Sequence, residues 1–401
     1  VTVSGLQPPQ LAFILVALAA AALVSYLLTP VAIRVATRLG AIDEPDSGRR
    51  VHHLPVPRGG GMAVVIAFVV IGSGAILLDV VPFGGGTTKL NVAALMAGAT
   101  LAGLFGFVDD RWQIRARWQL LLQLVLVAVA VAGGVTLARA NNPVDFLGES
   151  MPRFLEFAGP AAIAVTAVWI VGMINSINFV DGLDGLSTGI GLIAALTLGV
   201  ISVVDRPFDP TVALLSAVLA GSLAGFLPWN FHPARVFIGT TGVFAVGYAL
   251  AVLAILGSGK VAVALLVLGV PIIDTFWIII RRLASGRSPF TPDRGHLHHR
   301  LLDLGLTHRG AVLLIYGLCV LLGALSLVLA GSSGPLYAFM GIVVGGGLIL
   351  FLLTRRSQSA LDARSYPDTA PAGHARGDGS TVGGGGSTRD DGRRHEARPA
   401  R

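Results

Sequence analysis

Apolar residues in this chain come in long continuous runs broken by short polar stretches, without the strict alternation of a half-buried strand. A helix that crosses a bilayer needs about 20 apolar residues, and eleven such runs are present. They lie approximately at Leu11 to Ala32, Gly61 to Val80, Leu90 to Val108, Trp118 to Leu137, Ala158 to Ile174, Leu186 to Val204, Thr211 to Leu227, Gly242 to Leu256, Val261 to Ile280, Ala311 to Leu329 and Leu336 to Thr354. Lipid admits only helices and closed barrels, and continuous runs select helices. The pattern therefore predicts an all-α polytopic membrane protein with about eleven transmembrane helices.

Composition agrees. Of 401 residues, 54% are hydrophobic and only 13% charged, where a soluble domain carries about 25% charge. This excludes a water-soluble enzyme and a nucleic-acid-binding domain, and the single cysteine, Cys319, excludes a disulfide scaffold. The net charge of +7 then reads as membrane orientation. Alternate loops hold 15 Lys and Arg residues against 5, which places the N-terminus outside and the richer loops in the cytoplasm. No Lys or Arg precedes the first run, so it is expected to be a retained span rather than a cleaved leader. Residues 1–354 form the expected membrane domain, and 355–401, rich in Gly, Ser, Asp and Arg with a GGGG tract, the expected disordered cytoplasmic tail.

The remaining polar chemistry collects in the loops assigned to the cytoplasm. His52, His53, His232, His296, His298, His299 and His308 all fall there, with Asp109, Asp110, Asp181, Asp184 and Asp293. A transporter places such groups at mid-membrane on broken helices; collection on one face suits an enzyme acting at the membrane surface.

Asp109 and Asp110 end the third run in GFVDDRWQIRAR. Adjacent carboxylates repel unless a cation lies beside them, and hard oxygen ligands suit Mg²⁺; a solvated helix end paired with Arg111, Arg115 or Arg117 is the alternative. Asn175, Asn178, Asp181 and Asp184 recur every three residues in NSINFVDGLDGLSTG, a spacing that sets polar side chains along one helical face and points to a ligand or metal site rather than a plain polar turn. The segment FLPWNFHPARVFIGTTG, with Asn230 and Arg235, can stack a base and meet a phosphate or form an aromatic belt. The loop RRLASGRSPFTPDRGHLHHRL lacks a Cys or a spaced carboxylate to complete a zinc site around its histidines. Arg and His around a phosphate is the better chemistry for it. Asp274, seven residues before Arg281, is about 10 Å deep along a helix and is expected to be structural or to border the site.

These motifs, in this order, resemble the polyprenyl-phosphate N-acetylhexosamine-1-phosphate transferases: VDD at a span end, NxxNxxDGxDGLSTG, NFHPARVFIG and SPFTPDRGHLHHRL. DEPDSGRRVHHLPVPRGGG is similar to the first cytoplasmic loop of that family, and HLHHR looks like its N-acetylglucosamine-phosphate branch. The resemblance implies that a UDP-activated amino sugar, with N-acetylglucosamine expected, donates its 1-phosphate to an undecaprenyl or decaprenyl phosphate. UMP is released, Mg²⁺ is required (Mn²⁺ as an alternative), and cell-envelope glycan assembly begins. The implied partners are the lipid phosphate, the UDP-sugar and the membrane, with no nucleic acid and with a homodimer among the expected assemblies.

By the same resemblance, Asp109, Asp110, Asp181 and Asp184 carry catalysis. Asp109 and Asp110 serve the metal and the lipid phosphate, Asp181 and Asp184 the nucleotide and the metal, Asn230 and Phe237 the uracil, Arg294, His296, His298 and His299 the phosphates or the sugar, and Asn175, Asn178, His52 and Arg58 the rest of the substrates. One departure stands out. Where the family reads FMGDSGS, with an acidic metal ligand, this chain reads FIGTTGV, which puts Thr240 at the aspartate position and Val243 at the second serine. A neutral hydroxyl is a poorer Mg²⁺ ligand. A catalytically impaired paralogue that binds lipid or nucleotide is therefore the alternative, and a transporter the more distant one.

Overall fold

The computed structural model describes residues 6–43, 55–145, 151–204, 208–257, 261–269, 272–274, 282, 286, 297–330 and 332–346; the side chains of 297–299 are outside the description. The helices are α1 (Pro8–Arg38), α2 (Gly61–Leu77), α3 (Lys89–Trp112), α4 (Ala116–Ala132), α5 (Pro160–Val180), α6 (Leu186–Val204), α7 (Pro210–Asn230), α8 (Gly239–Leu256), α9 (Val261–Val267), α10 (Leu297–Asp303), α11 (His308–Val328) and α12 (Gly334–Gly346). Two short antiparallel pairs, β1 (Ile42–Asp43) with β2 (Val56–Pro57) and β3 (Arg139–Asn141) with β4 (Phe154–Glu156), lie in connections.

Among the described residues, seven helices are long and apolar enough to cross a membrane, α1, α3, α5, α6, α7, α8 and α11, and α2, α4 and α12 are shorter apolar helices. The chain is a mostly helical, polytopic membrane protein. Nine of the eleven apolar runs correspond to helices among the described residues. The runs from Val261 to Ile280 and from Leu336 to Thr354 begin as α9 and α12 and continue into residues outside the description. Residues 347–401, with the expected tail, lie outside the described residues.

α1 is apolar outward and small inward, the arrangement of a helix solvated by lipid. On α1, Leu15, Leu23 and Leu27 are exposed, while Ala17, Ala21, Ser25 and Thr29 are buried at a spacing of four. That stripe faces α7, where Gly221 and Gly225 meet the backbone oxygens of Leu18 and Ala22. Lipid gives helices no hydrophobic reason to associate, so close backbone approach supplies the attraction. A methyl in an unpacked helix gains up to about 1 kcal/mol over glycine; here it collides with a carbonyl. Gly225→Ala is expected to cost about 2 kcal/mol through overpacking and to lower the melting temperature in detergent, read by tryptophan fluorescence. An unchanged melting temperature would mean that α1 docks elsewhere.

α7 and α8 form the centre, with 89% of each span buried. α8 packs on α3 and α5, and two side chains tie it across the bundle: Tyr248 Oη donates to Ala94 O at 3.0 Å and Trp169 Nε1 to Ala251 O at 3.0 Å. The central helices thus hold the ends of α3, α5, α7 and α8 in fixed register, and the polar motifs are on those ends.

Candidate functional site

α3, α5, α7 and α8 run past the apolar runs that predicted them, so the motifs occupy final or first helical turns or the turns just beyond. α3 continues through Asp109 and Asp110 to Trp112, and α8 starts at Gly239 instead of Gly242. After α3, Gln113 adopts a left-handed conformation and its N–H donates to Asp109 O at 2.7 Å. Asp109 Oδ1 takes the Ile114 N–H at 3.0 Å and Gln119 Nε2, from the first turn of α4, at 2.8 Å. Asp109 therefore organises the α3–α4 turn as well as facing α8.

Asp110 lies on the N-terminus of α8. Its Oδ1 accepts from Thr240 N at 2.8 Å, and its Oδ2 from Thr241 N at 2.9 Å and Thr241 Oγ1 at 2.6 Å. Free amides and the dipole make a helix start attractive to an anion. The contact needs Gly239, whose φ is +66° and whose missing side chain leaves room for the Asp110 carboxylate. Thr240 Oγ1 donates to Asp109 Oδ2 at 2.7 Å. The residue at the family's aspartate position is thus a donor to the neighbouring carboxylate.

α5 ends at Val180, and the chain turns through Asp181, Gly182, Asp184 and Gly185 before α6. Asp181 Oδ1 accepts from Ser187 Oγ at 2.6 Å. Burial pushes the Asp181 carboxyl up to about 6; the Ser187 hydrogen bond and the Arg58 charge oppose the rise, and Asp110 and Asp184 add to it. Arg58, within electrostatic reach of this group, follows β2 and is held there with Nη1 3.4 Å from Asp43 Oδ1 and its backbone N–H donating to Ala41 O at 2.8 Å.

A testable consequence follows for stability. The unfolded value of the Asp181 carboxyl is 3.8, so between there and about 6 the folded chain binds more protons than the unfolded one. Stability therefore falls as pH rises through that window. Asp181→Asn lacks the loss. In EDTA it is expected to melt above wild type at neutral pH, with the difference closing near pH 4. A wild type that melts no lower at neutral pH would show that ionised Asp181 carries no burial cost.

Asp184 faces another pair. Its Oδ2 is 2.7 Å from His232 Nδ1 and accepts from Ala234 N at 3.1 Å, and its own N–H donates to His308 Nε2 at 3.0 Å. The two imidazoles stack at 4.1 Å and 16°. Ligand atoms of Asp184, His232 and His308 lie within 4.8 Å of one another. However, the ring lone pairs lie in stacked, nearly parallel planes and do not converge on one point, so the trio reads as a hydrogen-bonded set.

The four residues spaced by three do not share one face. Asn175 turns to α4, where its Nδ2 donates to Gln123 Oε1 at 2.8 Å, and to Val171 O at 2.8 Å; Asn178 is half-buried on the last turn of α5, and Asp181 and Asp184 lie beyond the helix. The reason is that the helix stops at Val180, which breaks the 3.6-residue geometry between the amides and the acids. Asn230 is buried, accepting from Thr188 Oγ1 of α6 at 2.6 Å and donating to Val236 O at 3.0 Å, so its amide ties the α7–α8 loop to α6. Phe237 is half-buried in that loop, which pairs with the segment before α2 through Phe237 N to Pro57 O and Gly60 N to Phe237 O, both 3.0 Å. Asp274 and Arg282 are buried, each with a partner.

His52, Arg294 and His296 lie outside the described residues; His298 and His299 are on α10, with side chains outside the description. The sequence motifs do not single out Thr241, Ser187, Gln119, Gln123 or the His232–His308 pair as site residues. Seven histidines confined to the same loops were the only signal for the last two.

The sequence profile described as glycosyl transferase family 4 matches residues 92–258, which run from α3 to the end of α8. The chain is 34% identical over 347 residues to the probable undecaprenyl-phosphate N-acetylglucosaminyl 1-phosphate transferase of Bacillus subtilis, covering 84% of this chain and 90% of that one. It is 35% identical over 370 residues to the decaprenyl-phosphate N-acetylglucosaminephosphotransferase of Mycobacterium tuberculosis, covering 85% and 89%. It is also 31% identical over 305 residues to the undecaprenyl-phosphate alpha-N-acetylglucosaminyl 1-phosphate transferase of Pasteurella multocida, covering 73% and 80%.

Proposed function

The chain belongs to glycosyl transferase family 4, and from that membership we propose that it transfers N-acetylglucosamine 1-phosphate from its UDP-sugar to a polyprenyl phosphate, releasing UMP. The observation that carries this reading is the gathering of Asp109 and Asp110 on the start of α8, with Asp181 and Arg58 within electrostatic reach of Asp110. The relatives named above are transferases of that kind.

The reaction is an exchange at phosphorus. A lipid phosphate oxygen forms a bond to the sugar-bearing phosphorus, the bond from that phosphorus to the bridging oxygen breaks, and UMP departs with the bridging oxygen. A phosphate monoester has a second pKa of about 6 and is mostly dianionic at neutral pH, so no strong base is needed. What the protein must supply is positive charge and fixed donors for the diphosphate. Arg58 is the described cation facing the carboxylates.

The carboxylates fit a hard divalent cation, Mg²⁺ or Mn²⁺. Asp109 Oδ2 and Asp110 Oδ1 each accept one hydrogen bond and keep a lone pair, and Asp181 adds a third acid. When bound there, the cation neutralises charge on the diphosphate. Thr240 and Thr241 hold the two acids in place.

The acceptor is a lipid and the donor is soluble, so the site belongs at the cytoplasmic surface of the cell membrane. The excess of basic residues in the loops on that side supports the orientation. Eleven spans with the N-terminus outside is the topology we propose.

The test is UMP release by the purified chain in liposomes from a panel of UDP-N-acetylhexosamines. Release is expected only with both a polyprenyl phosphate and Mg²⁺ or Mn²⁺. One observation favours a second reading: Thr240 donates to Asp109 where the family carries an acid, so the metal shell is one charge short. A chain that binds UDP-N-acetylglucosamine without releasing UMP would be the impaired paralogue.

A further inference from the structure

Asp184 is held at three points by groups remote in sequence, more constraint than a turn residue needs. Its Oδ2 has both lone pairs taken, by His232 Nδ1 and the Ala234 N–H, and its backbone N–H is taken by His308 Nε2. The following residue is held too, since Tyr316 Oη donates to Gly185 O at 2.5 Å. Tyr316 is eight residues after His308, so both project from one side of α11. Gly189 makes room for the Tyr316 ring.

The tautomers follow from these contacts. His308 Nε2 accepts from an amide, so the neutral ring carries its proton on Nδ1, which is buried and has no partner among the described residues. A buried donor left unpaired costs about 1–3 kcal/mol, a cost retained where it positions something else. His232 donates through Nδ1 to the Asp184 carboxylate and stacks on His308. Arg309, on the first turn of α11, donates through Nε to His232 O at 3.0 Å.

What remains is Asp184 Oδ1. The side chain is 15% exposed, and Oδ1 is the oxygen left open among the described residues. The family resemblance already implies that Asp184 meets the nucleotide. A carboxylate beside Asp181 repels phosphate, and the proposed cation is held by Asp109, Asp110 and Asp181, which leaves a neutral N–H or O–H as the group for Oδ1.

We infer that His232 and His308 are positioning residues that fix Asp184 so that its Oδ1 accepts a hydrogen bond from a neutral N–H or O–H of the sugar nucleotide. This rests on the transferase reading above. His232 sets the carboxylate rotamer, His308 sets the depth of the backbone, and Tyr316 stops the loop from lifting. None of the three exchanges atoms with the substrate.

The test is steady-state UMP release by the full chain, with UDP-N-acetylglucosamine and polyprenyl phosphate varied separately. His232→Ala and His308→Ala are expected to raise the donor KM at least tenfold while the lipid KM stays within twofold. His308→Gln, whose amide oxygen can accept from the Asp184 N–H, and His232→Asn, whose amide can donate to Oδ2, should recover most of the loss. Melting curves identify any variant that fails to fold, and the two conservative variants then carry the measurement. An unchanged donor KM overturns the inference, as does an equal rise in both KM values or no recovery in the conservative variants. A shift in the Mg²⁺ requirement instead of the donor KM also overturns it, because Asp184 would then act on the cation. If wild type binds UDP-N-acetylglucosamine without turnover, the transferase reading fails, and the same comparisons are made on the dissociation constant. If wild type neither binds nor turns over, both readings fall.

Discussion

Asp110→Ala is expected to remove UMP release altogether and to destabilise the fold, and Asp110→Asn separates the two effects. The carboxylate accepts from the amides of Thr240 and Thr241 and from the Thr241 hydroxyl, and the side chain is 3% exposed. Truncation to alanine leaves two buried amides unpaired, at about 1–3 kcal/mol each. It also removes an anion from a helix start, worth up to about 2 kcal/mol. Asparagine keeps an acceptor for α8 but loses the charge, so it should melt closer to wild type than alanine does. Its rate should still fall about 100- to 1,000-fold, the loss typical when one preorganised electrostatic contact to the reacting group is removed. Radiolabelled UMP release and thermal unfolding in detergent give the two readouts. A wild-type rate in Asp110→Asn would make Asp110 an anchor for α8 and nothing more.

Thr240→Asp is expected to convert a hydrogen bond into a repulsion that a cation relieves. The hydroxyl it replaces lies 2.7 Å from Asp109 Oδ2, and Gly106 packs directly on the Thr240 backbone, so the new carboxylate has little room to retreat. Two unit charges about 4 Å apart repel by about 4 kcal/mol at an effective dielectric of 20. In EDTA the variant should therefore melt below wild type. With Mg²⁺ it should recover, and its half-maximal Mg²⁺ concentration should fall about tenfold or more, a factor equal to about 1.4 kcal/mol. A gain in UMP release alongside would show that the wild-type shell is one ligand short; a loss would show that the site has been rebuilt around threonine. An identical Mg²⁺ dependence in both proteins would remove position 240 from the metal site.

Much of this was legible in the chain because a membrane imposes so few solutions. Lipid admits only helices and closed barrels, and continuous apolar runs of about 20 residues select helices, so helix positions could be read before any packing was known. Residues 186–204 matched their helix at both ends. Boundaries failed where polar motifs ride on helix ends, because hydropathy stops at Val108 and Gly242 while the backbone hydrogen bonds continue. The acids were legible as acids because a charge at a lipid boundary needs a reason. Their partners were not. Asp110 meets Thr241 across 131 positions and Asp184 meets His308 across 124, distances at which no local periodicity operates.

The sequence by itself thus determined the solvent, the helices and the inventory of charged groups, since each of these is dictated by the cost of placing a residue in lipid. Only the tertiary structure decided what each group does. It assigned Asn175 to Gln123 and Asn230 to its own loop, spent Thr240 on Asp109, and left one oxygen of Asp184 open while clamping the other. Hydrogen bonds act over about 3 Å, and which groups come that close depends on how α3, α5, α7, α8 and α11 pack.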